Sequence, residues 1–278
     1  MSNRIQVELP RASYYTGDVV SGAVALETDK AVDSRGLYLD ILGRESTVIT
    51  RQQGKTSVTY RSHADLLGWR APLHAAGVVP PGLQRFPFQF QIPVYGLPSY
   101  IGVHAKVEYG VTARLDVPWW PDAVSKQPIF VFFARESVRT FSKPVRFWSG
   151  DARDQSGPQV YVELDGDRFF SRELIGCRIT LLRLGEHRVR RVYVRLVGGE
   201  WAHAQNQQET TTKTITELEI PMNVIKVGEP FAFEVPIPAD VQSSYRGTYS
   251  YYSYLLRIGL DIAWAADLVA ETPIVIVR

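Results

Sequence analysis

The sequence predicts an all-β protein of two tandem antiparallel β-sandwiches. Three observations lead there. Apolar residues recur at every second position, no segment holds a helical apolar stripe for three turns, and the second half of the chain rewrites the first.

The alternation is plain in several segments. "RIQVELP" sets Ile5, Val7 and Leu9 on one face, and "GAVALET" does the same with Val24 and Leu26. In "RVYVRLV" (191–197), Val192, Val194 and Leu196 oppose Arg191, Tyr193 and Arg195. Period two marks half-buried strands, because successive side chains leave opposite faces of a sheet. These segments are rich in Val, Ile, Tyr and Phe. They are broken by turn chemistry at "VPPG" (79–82), "VYGLP" (94–98), "LDGDR" (164–168) and "KVGEP" (226–230). "SHADLLGW" (62–69) alone has room for a helical turn, and the polar run "AHAQNQQETTTKT" (202–214) reads as a mobile loop.

The repeat is read by aligning "FPFQFQIP" from Phe86 with "FAFEVPIP" from Phe231, 145 positions apart. The same offset pairs Pro93 with Pro238, Tyr100 with Tyr245, Gly102 with Gly247 and Tyr109 with Tyr254. It continues to Asp116 and Asp261, Trp119 and Trp264, and Pro128 and Pro273. Upstream, "LYLDILGRE" (37–45) meets "VYVRLVGGE" (192–200) at an offset of 155, with Gly43 on Gly198 and Glu45 on Glu200. A duplicated domain follows, with boundaries expected at 1–140 and 159–278. The Pro-, Gly- and polar-rich stretch 141–158 serves as linker.

Composition bounds the function. A chain of 278 residues can bury two cores. Its 31 basic and 29 acidic residues leave a net charge of +2 with no block of like charges, so no nucleic-acid partner is expected. The one cysteine, Cys177, excludes an internal disulfide and fits a reducing compartment. "MSNRIQVELPR" has no apolar signal core, and "PIFVFFA" (128–134) is too short to span a bilayer. The expectation is a cytoplasmic protein.

Reactive chemistry is not legible. His63, His74, His104, His187 and His203 fall in no metal-ligand spacing, and no nucleophile elbow, phosphate loop or dinucleotide fingerprint occurs. Asp165 and Asp167 lack the further oxygen ligands of a calcium loop and fit a turn. Cys177, in the alternating "LIGCRITL", fits a buried thiol. No catalytic residue, metal or cofactor is expected.

Four features carry candidate binding chemistry, each against a plainer reading. Arg4 and Arg11 flank the first strand, where a guanidinium suits an anionic group but ordinary surface charge also fits. Arg51 and Lys55 surround Gly54 in "RQQGKTS" (51–57), either a partner-probing tip or a plain hairpin loop. In "PWWPD" (118–122) the repeat assigns Trp119 to packing and leaves Trp120, matched by Ala265, to contact a protein or membrane surface. Arg188, Arg190 and Arg191 make one stretch locally basic, either an anion-attracting face or a solvated outer one.

Taken together, "YYTGDVVSGAVALE", "LYLDILG", "PPGLQRFPFQFQIP" and "LPSYIGVHAKVEYGVTARLDVPW" resemble the N-terminal domain of arrestin-domain proteins, nearest the α-arrestins. The second half resembles the matching C-terminal domain. The arrestin-fold retromer subunit and bacterial sporulation-control proteins are similar in architecture. The resemblance implies two tandem arrestin-like sandwiches and a non-enzymatic adaptor that binds protein partners, including tails of membrane proteins, with peripheral membrane contact. In this reading the basic residue near the first strand meets an anionic tail, and "RQQGKTS" is the receptor-probing loop. Arg135 stands where the resemblance puts the interdomain core arginine, whereas Ser21 stands where receptor arrestins carry an acid. No Pro-Pro-x-Tyr motif occurs, so ligase recruitment by that route is not implied. The competing reading is a structural β-sandwich subunit of a homo- or hetero-oligomer, its exposed aromatics buried in the assembly.

Overall fold

A computed structural model describes residues 3–119, 121–134, 141–149 and 157–278. Strands dominate, and they occur in the same order twice.

The first repeat contains β1 (Asn3–Glu8), β2 (Ser13–Tyr15), β3 (Val19–Thr28), β4 (Val32–Ser34), β5 (Gly36–Gln53) and β6 (Thr56–His74). It continues with β7 (Gly77–Val79), β8 (Gly82–Gln91), β9 (Tyr100–Ile101), β10 (Ala105–Asp116) and β11 (Ala123–Phe132). One sheet runs β1-β3-β8, and the facing one runs β2-β11-β10-β5-β6, with β9 added on β10. All these pairs are antiparallel except β2 with β11. The alternation read in β3 is observed, with Val24 and Leu26 fully buried. Val111, Leu115 and Val131 of the second sheet are also fully buried.

The second repeat contains β12 (Val145–Ser149), β13 (Gln159–Leu164), β14 (Arg168–Phe170), β15 (Leu174–Arg183), β16 (Val189–Ala204) and β17 (Gln207–Pro221). It ends with β18 (Pro230–Pro236), β19 (Tyr245–Arg246), β20 (Ser250–Ile262) and β21 (Leu268–Val277). Its sheets run β12-β13-β15-β18 and β14-β21-β20-β16-β17, with β19 on β20. The register repeats as well: Tyr14 faces Val131 across β2–β11, and Phe169 faces Ile276 across β14–β21. Among the described residues, no helix is long and apolar enough to cross a membrane.

Each repeat is pinned at one corner by a tyrosine. Tyr109 Oη donates to Leu97 O at 2.8 Å, and Tyr254 Oη donates to Gln242 O at 2.7 Å. Burial pushes the Tyr109 phenol up to about 12, and it raises Tyr254 further in the same direction. Gly43 lies directly across from Tyr109, and a side chain there would overlap the tyrosine ring. The repeated Gly43 and Gly198 are thus a packing requirement, since Gly198 lies against the Tyr252 hydroxyl in the same manner.

Three segments differ from expectation. "SHADLLGW" lies inside β6, because pairing along β5 satisfies its backbone groups more fully than one helical turn would. The polar run 202–214 forms the end of β16, a turn at Gln205 with φ +54°, and the start of β17. Its Thr residues suit an exposed strand better than a loop. Within the stretch 141–158, Val145–Ser149 forms β12 and pairs with β13, so part of the expected linker joins a sheet.

By density of contact the chain divides into two compact units. The first comprises Met1–Ala134 together with Ala202–Gln208 and Gly247–Ser250. The second comprises Arg135–Trp201, Glu209–Arg246 and Tyr251–Arg278.

Candidate partner-binding site

The longest element is the β5–β6 hairpin, which continues past the end of β10 to a tip at Gly54 and Lys55. Gly54 has φ +62°, a left-handed conformation that costs glycine little, and Lys55 is exposed beside it. Side-chain pairs zip the arm up to the tip: Thr50 with Thr59 at 3.2 Å, Gln53 with Tyr60 at 3.2 Å, and Ser57 with Gln52 at 2.8 Å. Arg51 is not a loose probe. Its guanidinium donates to Gln208 O at 2.8 Å and to Gln207 Oε1 at 3.3 Å, within the first compact unit.

Sequence reasoning noted Glu45 only as a repeated residue. It is fully buried, and its carboxylate accepts from Thr248 N at 2.8 Å, Tyr249 N at 3.0 Å and Ser250 Oγ at 2.7 Å. Gly247 must be glycine for this approach, since a Cβ there would fall on the Glu45 carboxylate. Thr47 Oγ1 donates to His203 O at 2.7 Å, and Gln205 N donates to Ser62 Oγ at 3.0 Å. The inner half of the hairpin is therefore a fastening for the two short segments that complete the first unit. Its tip is the part that stays exposed.

The other candidates are placed as follows. Arg4 lies exposed on β1, across from Glu27, and β1 forms the outer edge of its sheet. Beside it, Val7 N donates to Ser125 Oγ at 3.1 Å. Arg11 is held by Asp18 at 2.7 Å and stacks over the Tyr14 ring at 4.5 Å, which ties the expected free guanidinium into the β2–β3 turn. The basic stretch is a charge-balanced ladder. Arg190 pairs with Asp261 at 3.5 Å, Arg191 with Asp261 at 3.1 Å and also with Glu219, and Arg195 with Glu217 at 2.9 Å. The hydrogen bond from Arg195 holds the Glu217 carboxyl below its usual range. Acids on the neighbouring strands β17 and β20 were too distant in sequence to be counted against these arginines. Arg188 remains exposed in the β15–β16 turn. Trp120 and Arg135 lie outside the described residues.

Trp119 reverses its assignment. It is 96% exposed rather than packed, and Trp264 is 98% exposed. Identity between the two copies suggests a core requirement, yet each ring stands on a turn.

Among the described residues, no three His, Cys, Asp or Glu side chains come together to hold a metal ion. Cys177 is buried, and desolvation pushes its thiol up to about 12.

Comparison with known proteins agrees with the geometry of the first repeat. Residues 3–134 match the family described as arrestin (or S-antigen), N-terminal domain. The chain is 33% identical over 125 residues to mouse arrestin domain-containing protein 4, covering 40% of this chain and 30% of that protein. It is 30% identical over 134 residues to the human protein of the same name, covering 44% of this chain and 32% of that protein. The match thus spans about a third of the length of those relatives. Residues 3–134 are thereby assigned to the arrestin-like superfamily, and the second repeat copies their strand arrangement.

Proposed function

We infer that this protein is a non-enzymatic adaptor that binds protein partners, tails of membrane proteins among them, through its first sandwich. The observation that carries this reading is the arrestin N-terminal match over residues 3–134, together with an outer β1 edge bearing Arg4. An edge strand offers backbone donors and acceptors on one side, so an extended peptide can add to it. Arg4 supplies a charge for an acidic residue or phosphate on that peptide. The exposed tip at Lys55 gives a second point of attachment.

The test is capture of partners from cell lysate by wild type and by an Arg4→Glu/Lys55→Glu variant, with circular dichroism to confirm that both fold. Partners retained by wild type and lost by the variant support the reading and locate its face. Identical capture by both refutes the location. Capture of nothing but the protein itself, with a stable oligomer by sedimentation, favours a self-assembling structural subunit.

A further inference from the structure

The two copies of the domain act as controls for one another, and their first sheets differ by one strand. The offset of 155 that aligns "LYLDILGRE" with "VYVRLVGGE" also aligns "QVEL" (6–9) with "YVEL" (161–164). It sets β1 on β13, and the pairing agrees, since Val7 faces Val24 as Val162 faces Ile179. On the outer side of β13 comes one more strand, β12, which lies next to β21. Among the described residues, no strand pairs with the outer side of β1. There β1 lies beside β11, and Val7 N donates to Ser125 Oγ at 3.1 Å.

Burial and charge record the difference. Val160, Val162 and Leu164 are fully buried on β13, whereas Ile5 and Leu9, the counterparts of Val160 and Leu164, are half-buried. Glu163 meets two guanidinium groups, Arg178 from the sheet at 3.4 Å and Arg146 from β12 at 3.2 Å. Its counterpart Glu8 meets Arg85 from the sheet at 3.3 Å and keeps 39% of its side chain exposed, against 27% for Glu163. An open backbone edge, two half-covered apolar residues and a carboxylate with one cation are what β13 would show without β12.

β12 therefore displays the chemistry that such an edge takes. It runs antiparallel to β13, with Val145 facing Leu164, Arg146 facing Glu163 and Phe147 facing Val162. Trp148 then faces Tyr161, and Ser149 faces Val160. Carried over to β1, an apolar residue faces Leu9, a base faces Glu8 and a second apolar residue faces Val7. An aromatic residue follows at Gln6 and a small one at Ile5. The next position faces Arg4, which suits an acid, because opposite charges directly across a sheet attract. A backbone carbonyl of the incoming strand replaces the Ser125 hydroxyl at Val7 N–H.

We propose that the β1 edge selects an extended, antiparallel segment of a protein partner that reads apolar, basic, apolar, aromatic, small, acidic. This specificity rests on the adaptor reading of β1 and adds a base at Glu8 to the acid at Arg4.

The test is fluorescence anisotropy of a labelled peptide with the full chain. The peptide reads KPVRFWSE, the chain's own residues 143–149 with an acid added to meet Arg4. A scrambled peptide should bind about five-fold more weakly or worse. Glu8 lies on the surface, so Glu8→Arg should melt nearly as wild type does. It should bind KPVRFWSE about five-fold more weakly, and the reversed peptide KPVEFWSE should restore binding. That exchange separates β1 from β13, because a peptide that displaced β12 would ignore residue 8. Ser125→Ala should tighten binding about two-fold or more by freeing Val7 N–H.

The proposal is overturned if the scrambled peptide binds equally, if Glu8→Arg leaves affinity unchanged, if the reversed peptide fails to restore it, or if Ser125→Ala weakens it. An all-acidic peptide that binds wild type as tightly would also overturn it, while leaving the β1 edge as an anion site. So would loss of partner capture by Arg4→Glu/Lys55→Glu together with no binding of KPVRFWSE, an outcome that keeps the adaptor reading and ends this one. A free chain that sediments as a dimer and is split by the peptide would assign the edge to β12 of a second copy instead.

Discussion

Glu45 shows how much one side chain can decide. A buried carboxylate with three donors is stable only while all three are present, and hydrogen bonds to charged groups are the stronger kind. Glu45→Ala strands two backbone N–H groups and a hydroxyl, and is expected to cost about 3 kcal/mol or more. A urea midpoint within experimental error of wild type would show that water replaces the carboxylate. The corner tyrosines make a second prediction at this scale. Burial favours the neutral phenol, so their contribution is complete below pH 10 and is lost as pH rises from 10 through about 12. Stability should fall over that window, and Tyr109→Phe should flatten the fall while costing about 1 kcal/mol at neutral pH. Cys177, with its thiol pushed up to about 12 by desolvation, should react with thiol reagents at pH 8 only on unfolding.

At the scale of the element, the arginine ladder is a lesson in cross-strand accounting. β16 read alone is basic, but β17 and β20 set Glu219, Glu217 and Asp261 against it. Exposed pairs of this kind add little to stability, yet they cancel the field that would attract an anion. Asp261→Asn combined with Glu219→Gln should leave melting nearly unchanged and delay elution from heparin. Unchanged retention would mean that the ladder is not what neutralises this face. β6 illustrates the same point for conformation, because a sequence with room for a helical turn becomes strand once β5 offers it a full ladder.

For the molecule as a whole, the first compact unit draws Ala202–Gln208 and Gly247–Ser250 from far along the chain. Three donors to Glu45, and the acceptors used by Arg51 and Thr47, come from those segments. A fragment of residues 1–134 matches the arrestin N-terminal family almost entirely, yet it would leave Glu45 without these partners. It should therefore unfold at lower urea than the full chain, and Glu45→Ala should cost the fragment far less than the whole protein. Equal stability of fragment and full chain would show that the distant segments contribute nothing.

Local pattern determined the strands, the duplication and the arrestin-like architecture, because alternation and turn chemistry act between neighbours in sequence. Val24 and Leu26 or Val194 and Leu196 declare their inward face within a few residues. Sidedness at turns was not written that way. Trp119 and Trp264 looked like core because they repeat, and only the backbone at φ +65° and +66° turns them to solvent. Charge balance was likewise hidden, since the partners of Arg190 and Arg191 lie on other strands. Glu45 found its donors more than 200 positions away. Tertiary structure decided these matters because hydrogen bonds, ion pairs and exposure depend on distance in space, whereas alternation depends on distance along the chain.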